Sequence, residues 1–271
     1  MPAALTLAFD PGVGFAGVRV RWEALALAVV LMVGLALWVR ALGVVAGGPR
    51  HGSMSPSCCS RPSSARWWVV ERSTCWTSGR PMPPSPPRST WAGERLPRRC
   101  RHRGMAAGVL ACRLAGVAAG AWADAAAIPL LVTVGAGKLA LLLGGAGQGA
   151  RWDGPWAVAF LGAGPWRSVD AAMAAWPSQA LEGVWVLLGI LPVWLVRGRL
   201  AGGPHAASGI LLLTAVAWWL AGRAMVSVTW RDAPAVGPLG PEGIVTVAAL
   251  AIVGAAAALL VRARRRHGMV R

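Results

Sequence analysis

Apolar residues run through this chain in blocks too long for a soluble fold. A spanning helix needs about 20 mostly apolar residues. Six stretches have that length or approach it: 24–46, 105–122, 124–146, 180–196, 208–226 and 243–262. Gly and Ala are dense in them, which lets helix backbones approach closely in a bilayer. The predicted fold is all-α, a polytopic transmembrane helix bundle. The first run, from Ala24 through Val45, is longer than a signal-peptide core and reads as a permanent anchor.

One segment breaks the pattern. Residues 51–104 are rich in Arg, Pro and Ser and contain nothing that could cross a bilayer. The organisation read from the sequence is therefore threefold: 1–50 with the first span, 51–104 as a disordered or mistranslated segment, and 105–271 as a transmembrane helical domain.

Basic residues orient the spans, because Lys and Arg favour the cytoplasmic side. The tail with Arg262, Arg264, Arg265 and Arg266 is expected inside, as are Arg197 and Arg199. The sparsely charged loop 147–178 is then outside, with Trp152, Trp156, Trp166 and Trp176 suited to an interfacial belt. A short turn near Ala123 is expected inside, which puts residue 104 outside. From the other end, Arg40 and Arg50 place the end of the first span inside and the N-terminus outside. The two counts disagree by one crossing.

Either 51–104 is a true polar loop and one span is misassigned, or it is text read in a shifted frame. The abrupt change of composition at both ends favours the second. Trp has one codon, so Trp67, Trp68 and Val69 read from the third base give Val then Gly. GC-rich codon choices turn Ser63–Ser78 into an apolar run. Six spans are legible and seven are expected.

Composition supports the membrane reading. Hydrophobic residues make up 56% of the chain and charged residues only 14%, against about a quarter in soluble domains. The net charge of +17 rests on 26 Arg and one Lys, Lys138, with no Asn and no Tyr. That usage reflects a GC-rich genome, and no nucleic-acid-binding motif accompanies the basic stretch; no nucleic acid is expected as a partner. The five Cys match no zinc or disulfide spacing. No metal or cofactor is implied.

Four pieces carry candidate chemistry. VRVRWEALALAV, residues 18–29, enters the first span through Arg21, Trp22 and Glu23. Residues 123–149 contain Asp124, Pro129, Gly137, Lys138 and Gly145. A cation within a span is costly and is a functional candidate, though a Lys can also snorkel to the interface. WPSQALEG, residues 176–183, offers Ser178 as a helix cap and Glu182 in the first turn. GRAMVSVTWRDAP, residues 222–234, places Arg223 at the outer end of a Trp-rich span, followed by Arg231 and Asp232.

In order and spacing these pieces resemble bacterial prolipoprotein diacylglyceryl transferases, seven-span enzymes with the N-terminus outside. The resemblance covers about 19–48 and 105–262. Arg21 and Trp22 match, with Glu23 where the family has a functional Tyr. Gly137 and Gly145 match a Gly-Arg-x-Gly-Asn-Phe-x-Asn-Gly-Glu signature in which Lys138 replaces Arg, Leu141 replaces Asn and Ala146 replaces Glu. Pro177, Ser178, Gln179 and Glu182 match a His-Pro-Thr-Gln-Leu-Tyr-Glu run, and Trp176 and Leu181 replace its His and Tyr. Arg223 matches the Arg of Gly-Arg-Phe-x-x-Glu, with Ser227 in place of its Glu, and Arg231 and Asp232 match the pair that follows. The family's His-Gly-Gly motif is not legible near 90–108.

The resemblance implies transfer of a diacylglyceryl group from phosphatidylglycerol to the lipobox Cys of a prolipoprotein, in the bacterial inner membrane. It implies Arg223 and Lys138 as catalytic cations, and Gly137, Gln179, Glu182 and Arg231 as substrate-binding residues. The expected partners are phospholipid, the precursor and the membrane. The replaced residues keep a second reading open, a non-catalytic relative that binds lipid or a protein partner.

Overall fold

The computed structural model describes residues 5–15, 17–46, 118–161, 166–168, 170, 172–200 and 209–268. Residues 51–104 lie outside these, as does most of the expected span 105–122.

Three short strands precede the first helix, β1 (Leu5–Ala8), β2 (Gly12–Phe15) and β3 (Val18–Arg21). Next come α1 (Trp22–Ala46) and α2 (Ala119–Leu141), then strand β4 (Val158–Leu161). The remaining helices are α3 (Ser178–Leu188), α4 (Ile190–Leu200), α5 (Ile210–Val226) and α6 (Pro241–Gly268). Among the described residues, five helical stretches are long and apolar enough to cross a membrane, with α3 and α4 forming one of them. An all-α membrane bundle is the fold.

Two boundaries differ from expectation. No turn falls at Ala123, because α2 runs unbroken from Ala119 through it. Ala at seven of the ten positions from 118 to 127 favours helix, and no Pro interrupts them. Ser178 does not cap α3. It is the first helical residue, and its hydroxyl lies 2.7 Å from the Thr229 hydroxyl instead.

The strands were not foreseen. β1 pairs in parallel with β4, Leu5 opposite Val158, and β2 with β3 forms an antiparallel hairpin. Within the hairpin, Asp10 accepts from the Gly12 amide at 2.9 Å and from Arg19 at 2.6 Å. These bonds, the Gly12 amide foremost, hold the Asp10 carboxyl below its ordinary range.

Close approaches of small residues set the bundle. A Cβ on Gly135 would meet Leu187 Cγ at 2.7 Å, and one on Gly183 would meet the Gly135 carbonyl at 2.9 Å, so α2 and α3 touch backbone to backbone. Trp185 of α3 and Trp218 of α5 stack at 4.6 Å with an 8° interplanar angle. Each indole donates to the other's backbone carbonyl, at 2.9 and 2.8 Å. Gly222 makes room for the Trp185 ring and Gly189 for that of Trp218. Ala127, Leu131, Val186, Val193 and Ala215 form the buried centre of these contacts.

At the other end of the bundle, Asp124 accepts from the amides of Gly209 at 2.9 Å and Leu211 at 2.8 Å. A side chain of α2 thus satisfies amides at the start of α5, which otherwise has no side-chain cap.

Candidate functional site

The glycine contacts decide where the charges go. Lys138 lies one turn beyond Gly135 on α2, Glu182 precedes Gly183 on α3, and Arg223 follows Gly222 on α5. With α2 and α3 in backbone contact at Gly135 and Gly183 and the Trp185 ring seated against Gly222, the three side chains converge. Glu182 accepts from Lys138 Nζ at 2.8 Å and from Arg223 Nη1 at 3.1 Å. The Trp219 indole donates to the same carboxylate at 3.2 Å. Its side chain is only 2% exposed, while each cation keeps about a quarter of its surface open. Two cations around one buried carboxylate satisfy the requirement that a charge removed from water be paired and hydrogen-bonded.

Arg223 is engaged on its other side as well. Its Nη2 meets Glu242 of α6 at 2.9 Å, and its guanidinium lies 4.6 Å from the Trp230 ring centroid.

A cavity of about 280 Å³ opens over these groups. Lys138, Glu182, Arg223, Arg231, Asp232 and Glu242 supply its charges, and Leu141, Gln148, Gln179 and Trp230 stand beside them. The turn after α2 forms one wall. Gly145 and Gly147 adopt left-handed φ values of 73° and 68°, which a side chain would resist. The turn brings Gln148 and Gly149 beneath Arg231, which donates to the Gly149 carbonyl at 2.7 Å and to Gln148 at 3.3 Å. Gln179 is 3% exposed, and among the described residues neither end of its amide has a hydrogen-bond partner.

The structure therefore gathers Lys138, Gln179, Glu182, Arg223 and Arg231 around one cavity. It does not bring in Gly137, which faces Leu27 of α1 and is absent from the cavity lining. Glu23 lies apart too, buried beside Gly144 and 2.9 Å from Arg167.

Sequence reading left out Glu242, Gln148 and Trp230. Glu242 follows Pro241 at a helix start, where an acidic residue is expected merely to complement the helix dipole. The available signal was that Asp232 and Glu242 are the only acids in the sequence after Arg223.

Lys138, Arg223 and Arg231 lie at the ends of their segments nearest the Trp-rich 147–178 loop, and Arg197, Arg199 and Arg262 lie at the opposite ends of theirs. A multi-pass helical bundle with a cavity rich in charged side chains toward one face defines a polytopic membrane protein. The chain belongs to the prolipoprotein diacylglyceryl transferase family, whose model matches residues 102–262. Comparison with curated proteins returned no match.

Proposed function

We propose that this protein moves the diacylglyceryl group of phosphatidylglycerol to the lipobox Cys thiol of a prolipoprotein. The observation that supports it most is the convergence of Lys138, Arg223 and Arg231 on one cavity, with Glu182 holding two of them. The cysteine sulfur would attack the glyceryl carbon that bears the phosphate. The C–S bond forms, the C–O bond breaks, glycerol phosphate leaves with the electron pair, and the thiol proton ends on the leaving phosphate. Negative charge grows on the leaving oxygen, and fixed cations in a poorly hydrated site stabilise it best. Arg223 offers a planar fork to a phosphate and Lys138 a point charge.

Glu182 serves as the counter-ion that fixes both cations. A lone cation facing lipid would cost about 2.5–3.5 kcal/mol on insertion scales. Gln179 and Arg231 would contact the substrate's polar part. Gly137 is given no part in this reading, since a Cβ there would meet Leu27 only at an ordinary 3.7 Å.

The proposed setting is the bacterial inner membrane, with the N-terminus and cavity outside and the Arg-rich tail cytoplasmic. Residues 51–104 are proposed to conceal a further span behind a shifted reading frame, which resequencing codons 48–106 would reveal.

Leu141, Ala146 and Ser227, standing where the resemblance implies Asn, Glu and Glu, favour the second reading, a non-catalytic relative. Complementation of a transferase-deficient strain separates the two. It should use both the chain as written and a frame-corrected form. Arg223→Ala should abolish lipidation, and Arg223→Lys should lose most of it. If the corrected chain lipidates no precursor, the non-catalytic reading replaces the enzyme. Activity that survives Arg223→Ala removes Arg223 from the site.

A further inference from the structure

Both terminal nitrogens of Arg223 already meet carboxylates. Its Nη1 faces both Glu182 oxygens at 3.1 and 3.4 Å, and its Nη2 faces Glu242 at 2.9 Å. Trp230 lies against the guanidinium face. A phosphate that takes both terminal nitrogens of Arg223 competes with a carboxylate already there, although Nε–H stands outside these contacts.

The two carboxylates are not equivalent. Glu182 is 2% exposed and also holds Lys138 and Trp219, so removing it strands charges in a buried place. Glu242 is 64% exposed. Among the described residues its carboxylate has Arg223 as its one side-chain partner. Once released, it stands in the first turn of α6, where the helix dipole favours negative charge.

Charge points the same way. The cavity lining balances Lys138, Arg223 and Arg231 against Glu182, Asp232 and Glu242. When Glu242 swings away, one positive charge is left over. That is the complement of a phosphodiester's single negative charge.

We infer that Glu242 is a built-in competitor at the mouth of the cavity, and that the phosphodiester of an anionic phospholipid takes its place on Arg223. This rests on the reading of the cavity as a phospholipid site. The exchange keeps Arg223 neutralised while the cavity is empty and lets only an anion open it.

The test measures the apparent affinity of the full chain for phosphatidylglycerol diluted into phosphatidylcholine micelles. Inorganic phosphate is titrated separately. An exposed ion pair is weak, so Glu242→Gln and Glu242→Ala should each tighten phosphatidylglycerol binding by roughly 1.5- to fivefold. Adding Arg223→Ala should abolish that gain. If Glu242 instead orients Arg223, both Glu242 variants will bind lipid more weakly, and the inference fails. Unchanged affinity also overturns it. A gain for inorganic phosphate alone would assign the subsite to free phosphate and overturn the lipid assignment. If Arg223→Ala by itself leaves phosphatidylglycerol binding intact, the phospholipid reading of the cavity fails rather than the exchange alone.

Discussion

Lys138 of α2 and Glu182 of α3 meet at 2.8 Å, directly beside the point where the two helices touch through Gly135 and Gly183. The pair therefore has both a structural and a chemical side. Glu182→Ala leaves two cations without their shared partner, whereas Lys138→Ala leaves Glu182 with Arg223 and Trp219. Breaking a buried pair costs about 3–5 kcal/mol when an uncompensated charge remains. Thermal unfolding in detergent should show a larger loss for Glu182→Ala than for Lys138→Ala. Equal losses would mean that Arg223 does not depend on Glu182.

Lys138→Arg tests the chemical side. Arg keeps the charge and adds a fork for a phosphate oxygen. Transfer activity should be preserved or raised, read as precursor lipidation per unit of protein. A loss of tenfold or more would show that the cavity accepts only the compact ammonium at this position.

Much of this site was legible in the sequence, for identifiable reasons. Arg223 and Lys138 stand out because charge within an apolar run is rare, and Glu182 because it shares a short motif with Gln179. Partner assignments were not legible. Glu242 meets Arg223 only because α5 and α6 pack side by side, and no local pattern encodes that contact. The Ser178 cap was a sound local rule that lost to a tertiary partner, Thr229. The strands escaped notice because four residues are too few for a clear period-two pattern.

Asp124 gives a purely structural prediction. Its carboxylate accepts from the amides of Gly209 and Leu211, which otherwise point into the bundle end without a side-chain cap. Loss of a helix cap costs about 0.5–2 kcal/mol. Asp124→Ala should lower the unfolding temperature, while Asp124→Asn, which keeps one acceptor, should lose less. Equal melting of Asp124→Ala and the parent would show that the contact carries no stability.

Topology is accessible to labelling. Arg197, Arg199 and Arg262 lie at the bundle end remote from the cavity, where Asp124 meets Gly209. Single cysteines placed at exposed Trp156 and at Arg262 should behave oppositely in intact cells. The first should react with a membrane-impermeant reagent, and the second only after lysis. The reverse pattern would invert the orientation.

Gln179 joins stability to function. Its amide is buried, and among the described residues neither Nε2 nor Oε1 has a partner. Nε2 lies against Gly147, close enough that a Cβ there would sit 3.2 Å away. An unsatisfied buried polar group costs about 1–3 kcal/mol. A protein retains such a cost most readily where a ligand meets the need, since sites suited to binding are often suboptimal for folding. Gln179→Leu keeps nearly the same shape and removes the unpaired amide. It should raise the unfolding temperature of the ligand-free protein. It should also weaken phosphatidylglycerol binding, because a hydroxylated headgroup would lose both a donor and an acceptor. A stabilised variant with unchanged lipid affinity would make Gln179 a packing residue only. A destabilised variant would show that the amide is already satisfied in the folded protein.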